Sequence, residues 1–287
     1  MSLIDLDLPW LTQPDFTARL RPEIAQWRPS VLLGNFGPNA LTGRALTLAG
    51  SIPLIGSPYG LAYQGDATDN IAYGTTEKSF VWNTDKDFTW IVVFRKHNTS
   101  VDGNAIAGLG ATGGGGGNTL FRLTGGGSSA DAVRLQAQDA TGTTLYFNDD
   151  SSSIGLTDLM WHCVILRGRI STNADDAYIR YFADGKQLNT VNTPASSLGG
   201  ATTFNQVSAC GSRRGGSTIS PGAFSVALFA HLDGVRMPDG WCVRASTVQD
   251  VWDALFEPQW HGVPVSAGGG AAALPLFVHH YRQQGIM

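Results

Sequence analysis

Apolar positions along this chain fall in short runs bounded by Gly, Pro, Asp and Ser, and a helical period shows at one place only, near the C-terminal end. Two runs are apolar at odd and even positions alike. The first is Phe88-Thr89-Trp90-Ile91-Val92-Val93-Phe94-Arg95. The second, Trp161 to Arg167, puts Trp161, Cys163 and Ile165 on one face and Val164 and Leu166 on the other. Strands of this composition are predicted to be central, with something apolar on each side. The second run opens a set of three antiparallel strands. Residues 177–183 form the next, Asp184-Gly185 supplies a two-residue hairpin turn that tolerates positive φ, and the chain returns from Lys186.

Elsewhere the alternation is simpler. Val133, Leu135 and Ala137 interleave with Arg134, Gln136 and Gln138, which predicts a strand buried on one face, and residues 145–147 continue the meander. Residues 207–211 and 224–230 are further strands, residues 105–109 and 119–123 flank a glycine-rich loop, and shorter strands are expected around 45–48 and 60–63. The helical stretch has Ser246 as its expected N-cap, with Gln249 three residues on. Val248, Val251, Trp252 and Leu255 then form one apolar stripe, which Pro258 ends. Residues 1–30 carry Pro9, Pro14, Pro22 and Pro29 and predict an extended arm with a short helical turn near residues 22–27.

Composition supports an all-β reading. The 287 residues are 43% hydrophobic, enough for one large core, and one domain is expected. Charged residues make up only 15%, against roughly 25% in an average soluble domain, as expected of a turn-rich protein with partners on part of its surface. Glu23, Glu77 and Glu257 are the sole glutamates, so the acid is carried by the turn-forming aspartate. A net charge of −4 without a Lys/Arg cluster gives no footprint for nucleic acid. No apolar window approaches the roughly 18 residues of a membrane span, and the N-terminal stretch lacks the basic start and apolar run of an export signal. No membrane partner is therefore expected. Cys163, Cys210 and Cys242 are odd in number and lack metal spacing, so buried thiols are expected.

Gly108-Leu109-Gly110-Ala111-Thr112-Gly113 satisfies a dinucleotide fingerprint formally, but five consecutive glycines from Gly113 replace the helix it requires. Nucleophile-elbow, zinc-peptidase, thiol-redox and P-loop motifs do not occur. Asp149-Asp150 and Asp175-Asp176 are adjacent pairs, which point to opposite faces of a strand and suit turns. His162 is expected in the core, and His279-His280 is a weak metal pair on a tail. No catalytic site and no cofactor are expected.

Trp161-His162 opening an apolar strand, followed by Ala183-Asp184-Gly185-Lys186 closing another, resembles the core of laminin-G-like, concanavalin A-like jelly rolls. The resemblance implies a jelly-roll sandwich of two antiparallel sheets, a fold that hosts lectins, glycosidases, adhesion modules and viral structural proteins. Leu8-Pro9-Trp10-Leu11-Thr12-Gln13-Pro14 and the closing segment Leu255-Phe256-Glu257-Pro258, Trp260, Val263-Pro264-Val265-Ser266-Ala267-Gly268 resemble the ends of such proteins from tailed bacteriophages. Trp252-Asp253-Ala254 departs from the Asn-Pro-Trp usual there, and the chain runs on to Met287.

The organisation implied is an arm over 1–30, a jelly roll over 31–260, and a Gly/Ala linker with a second arm over 261–287. The function implied is a non-enzymatic virion protein, decorating the capsid or joined to the tail, with other virion proteins and copies of itself, as a trimer, for partners. Trp10, Phe16, Leu276, Phe277 and Tyr281 are the candidate arm contacts. Host-surface polysaccharide is a further candidate partner, because sugars stack on aromatic rings, and Tyr59, Tyr63, Tyr73 and Trp82 are its candidate contacts. A stand-alone glycan-binding module is the alternative. A glycoside hydrolase of the same fold stands behind it, for want of paired carboxylates. Calcium is the one metal the resemblance implies, with Asp66, Asp69, Asp102 and Asp149 as candidate loop ligands whose spacing carries no signature.

Overall fold

The structure, a computed structural model, describes residues 21–26, 31–34, 47–49, 52–58, 60–66, 68, 71–82, 86–98, 104–111, 120–125, 132–138, 144–148, 154–170, 176, 178–192, 202–214, 217–219 and 221–256. Two antiparallel sheets are packed face to face, an all-β jelly-roll sandwich. The first sheet has eight strands. In spatial order they are β13 (Lys186–Asn192), β12 (Tyr178–Ala183), β11 (Trp161–Ile170), β6 (Lys86–Lys96), β17 (Phe224–Asp233), β4 (Gly60–Gln64) and β3 (Leu54–Ser57), with β1 (Val31–Gly34) also paired to β17. The second has seven: β10 (Thr144–Asn148), β9 (Val133–Gln138), β8 (Leu120–Gly125), β7 (Ala105–Gly110), β14 (Thr202–Ala209), β5 (Ile71–Trp82) and β2 (Thr47–Ala49). A small hairpin of β15 (Ser212–Arg214) and β16 (Ser217–Ile219) follows β14.

The two doubly apolar runs are neighbours. Strand β6 lies between β11 and β17, with Ile165 opposite Ile91 and Val92 opposite Phe229. Phe88, Trp90, Val92 and Phe94 face the second sheet with Val164, Leu166 and Phe229, and meet Leu109, Leu123, Leu135 and Val207 from across the sandwich. Trp90 packs edge-on against Phe229, ring centroids 4.9 Å apart. The opposite parity, Ile91, Val93, Cys163, Ile165 and Phe182, is covered by a layer that the strand pattern could not identify. It consists of α1 (Pro22–Ala25), α2 (Asp239–Ala245) and α3 (Asp250–Leu255), which contribute Ile24, Cys242, Ala245, Val251 and Leu255, with Phe256 just beyond. Burial of apolar area on both faces explains why the central stretches 90–94 and 163–166 carry no charged side chain.

The Asp184-Gly185 turn forms as expected, with φ of 51° and 72°, and joins β12 to β13. The C-terminal helix does not form as expected. There are two short helices, not one, and Ser246 is the C-cap of α2. Its hydroxyl donates to the Val243 carbonyl at 2.9 Å and accepts the Gly185 N–H at 3.2 Å. Thr247 takes the capping part instead: it accepts the Asp250 N–H at 3.0 Å and donates to the Asp250 carboxylate at 2.6 Å. The apolar stripe itself is placed as read, since Val251 and Leu255 are buried and Val248 and Trp252 pack beside them.

Within the segment read as an arm, α1 lies on this layer. Ile24 is buried, the Arg21 N–H donates to the Leu255 carbonyl at 2.9 Å, and the Arg21 side chain reaches the Asp253 carbonyl. Trp10, Phe16, Leu276, Phe277 and Tyr281 lie outside the described residues. No helix among the described residues is long and apolar enough to cross a membrane.

Candidate functional site

The outward face of the seven-stranded sheet carries polar side chains among the described residues, and these follow from parity. Leu109, Leu123, Leu135 and Val207 point into the sandwich, so their neighbours in sequence point out. The strand register aligns these neighbours in a row: Tyr73 opposite Ser208, Ser208 opposite Gly108, Gly108 opposite Arg122 and Arg122 opposite Gln136. A second row runs beside it, with Gln206 opposite Gly110. Tyr73 and Arg122 are half-buried, while Ser208, Gln136 and Gln206 are buried.

Glycine at 108 and 110 leaves the middle strand without side chains on this face. Both glycines are buried. The Arg122 guanidinium is held by two hydrogen bonds, donating from Nε to Gln136 Oε1 at 2.7 Å and from Nη1 to Ser212 Oγ, on the β15 hairpin strand, at 3.2 Å. Ser208 Oγ donates to the Gly108 carbonyl at 3.4 Å. Gln206 is 5% exposed, yet its carboxamide oxygen accepts no hydrogen bond. A buried carbonyl oxygen in that state is unusual enough to need a reason, and a ligand hydroxyl would supply the missing donor.

The residues singled out as glycan contacts separate. Tyr73 stands in the outward row. Tyr63, expected as a contact, is instead 2% exposed in the core between the sheets, where burial and the nearby Cys210 push its phenol above the ordinary tyrosine range. Trp82 is at the end of β5, opposite Thr202, and Tyr59 lies outside the described residues. Of the calcium candidates, Asp66 closes a local turn by accepting the Thr68 N–H at 3.0 Å and its hydroxyl at 2.5 Å. Asp69, Asp102 and Asp149 lie outside the described residues, among which no group of three metal-binding side chains gathers. Gln206, Ser208 and Arg122 were missed because only β9 shows its alternation clearly in sequence. The row exists across strands and not along them.

Other reactive groups are held inert. Cys163, Cys210 and Cys242 are buried free thiols, with burial pushing Cys210 and Cys242 up to about 12 and Cys163 higher still. His231 is fully buried and held neutral, its pKa brought down to about 3 by desolvation, and its Nδ1 accepts the Trp90 indole N–H at 2.6 Å. His162 is 5% exposed and meets the Asp158 carboxylate at 3.1 Å. Gly108 and Gly110 of the formal dinucleotide fingerprint lie inside β7, and residues 112–119, where the helix it requires would begin, lie outside the described residues.

No family profile and no curated protein matches this sequence. Among solved structures, the CBM40 domain of Ruminococcus gnavus IT-sialidase bound to α2,3-sialyllactose overlaps 57% of this chain and 84% of its own at 15% identity, with a TM-score of 0.41. The receptor-binding domain of botulinum neurotoxin mosaic serotype C/D overlaps 83% of this chain and 51% of its own at 10% identity, with a TM-score of 0.49. The binding domain of Paraclostridial Mosquitocidal Protein 1 overlaps 80% of this chain and 53% of its own at 7% identity, also at 0.49. These are overlaps of strand arrangement, and no property of those proteins passes to this chain through them.

Proposed function

We propose that this chain is a non-enzymatic, saccharide-binding jelly roll that serves as a structural subunit of a bacteriophage particle, on its capsid or tail. The observation that carries saccharide binding is Gln206 Oε1, buried without a donor on a polar, glycine-bearing sheet face. Sugar hydroxyls both donate and accept, and suit a surface of carboxamide, hydroxyl and guanidinium groups with Tyr73 at its side for ring stacking. The virion setting rests on the resemblance of the Leu8 to Pro14 and Leu255 to Gly268 segments to the ends of phage jelly rolls.

The test is retention of the full-length protein on a panel of neutral bacterial-surface polysaccharides, beside Gln206→Ala and Tyr73→Ala. Retention by the parent that falls about tenfold or more in Gln206→Ala, the loss of roughly one good hydrogen bond to a ligand, supports the reading. No retention, or retention untouched by both substitutions, overturns it. Mass spectrometry of purified particles from the producing host tests the virion setting separately: absence of the protein from the particle rejects it.

A further inference from the structure

A second polar cluster lies on the opposite side of the molecule, on the outward face of the eight-stranded sheet, just past the cover of α2. Arg167 on β11 and Arg180 on β12 are cross-strand partners, and Tyr178 is on the same face two residues from Arg180. The chain leaving β17 brings Arg236 and Asp239 over them. Asp239 gives one carboxylate oxygen to Arg180 Nη1, at 2.6 Å, and the other to Arg167 Nη1, which also donates to the Met237 carbonyl at 3.0 Å. The guanidinium groups of Arg180 and Arg236 both lie against the Tyr178 ring, 5.9 and 5.7 Å from its centroid.

The charge here does not balance. Three guanidinium groups gather here, and the one carboxylate beside them pairs with Arg167 and Arg180 but not with Arg236, on a chain whose net charge is −4. Arg167 is only 3% exposed, yet its Nε and Nη2 donate to nothing, and Arg180 Nε and the Tyr178 hydroxyl are likewise buried without a hydrogen-bond partner. Arg236 is exposed, with no carboxylate against it among the described residues. Buried guanidinium donors are costly unless filled, and a planar fork of N–H groups is best filled by an oxyanion. Asp239 is itself such a group, on a side chain that is 41% exposed, and it occupies the fork only in part.

We propose that Arg167, Arg180, Arg236 and Tyr178 form a binding site for an oxyanion, a carboxylate or a phosphate, which enters between Arg180 and Arg236 and displaces Asp239 from the guanidinium fork. Arg236 is the exposed cation that receives the ligand. Arg180 and Arg167 are the inner donors, and Tyr178 is the apolar plate on which the outer two are held flat. Asp239 is the resident competitor. The site is distinct from the glycine-bearing face and does not depend on its function.

The experiment is calorimetric titration of the full-length protein with inorganic phosphate, with oligogalacturonate, whose carboxylates are carried on sugar, and with neutral galacto-oligosaccharide as control. Saturable binding of phosphate or oligogalacturonate is expected, weakened about tenfold or more by Arg236→Ala and tightened by Asp239→Asn, which removes the competitor. Phosphate bound as well as oligogalacturonate would identify a free oxyanion as ligand. Oligogalacturonate bound much more tightly, with the neutral sugar inert, would identify an acidic saccharide. Binding of neither anion overturns the proposal, as does binding that Arg236→Ala leaves unchanged. Because Arg236 is exposed and supports no strand, that variant remains informative even if Asp239→Asn fails to fold. The neutral-polysaccharide panel reads the other face, so the two proposals can fail separately.

Discussion

The pair Trp90 and His231 shows how a single residue is set by its surroundings. An indole N–H buried in the sandwich needs an acceptor, and Nδ1 of a neutral imidazole provides one at 2.6 Å. Protonation would destroy that acceptor, and burial already brings the His231 pKa from 6.5 down to about 3. The unfolded chain therefore binds the proton first. Stability from this group is complete above about pH 6.5 and is lost progressively as the pH falls toward 3. His231→Leu should cost about 1–3 kcal/mol at pH 7, since it strands the indole donor. Because the variant has no buried imidazole to protonate, its deficit should shrink as the pH is lowered toward 4. Urea unfolding of both proteins at several pH values measures this, and a gap that stays constant with pH would contradict the account.

At the scale of elements, the turn between β12 and β13 carries information out of proportion to its length. Both of its residues have positive φ, and the Gly185 N–H is tied to Ser246 at the end of α2, so the hairpin also anchors the helical layer. A Cβ at position 185 would meet Thr247 Cγ2 at 3.6 Å, ordinary contact, so the cost of substitution is conformational and not steric. Gly185→Ala should lower stability by about 1–2 kcal/mol, the penalty for placing an L side chain in the left-handed region. Gly185→Asn should cost less, because asparagine tolerates that region. Equal losses in the two variants, read by chemical denaturation, would mean that packing against Thr247 dominates.

At the scale of the whole molecule, order in space departs from order in sequence. Strand β17, the last in sequence among the described residues, lies inside the eight-stranded sheet: β6 runs along one edge, while β4 and β1 share the other at Ser225–Val226 and at Gly34 to Val31. Without it the outer strands β3 and β4 lose their link to β6. A chain ending at residue 220 is therefore expected to show no cooperative thermal unfolding by circular dichroism, although it retains all seven strands of the other sheet. A sharp transition in that fragment would show that the seven-stranded sheet is independently stable.

The sequence by itself determined the local parts. Doubly apolar runs at residues 88–95 and 161–167, the alternation from Val133 to Gln138 and the Asp184-Gly185 turn each reflect a short-range rule of period or dihedral angle, and all four are in place. Strand β5 escaped that reading because Gly74-Thr75-Thr76-Glu77-Lys78 breaks its alternation, and α2 because its Asp239–Ala245 span is too short to show a period. Tertiary structure decided what covers the second face of β6 and β11, and that Tyr63 is core while Tyr73 is half-buried on the outward face. It also decided that Gln206, Gly108, Arg122 and Gln136 share one side of one sheet. Such rows are created by pairing between strands distant in the chain, and register of that kind is fixed by burial of the opposite face and not by anything written within a single strand.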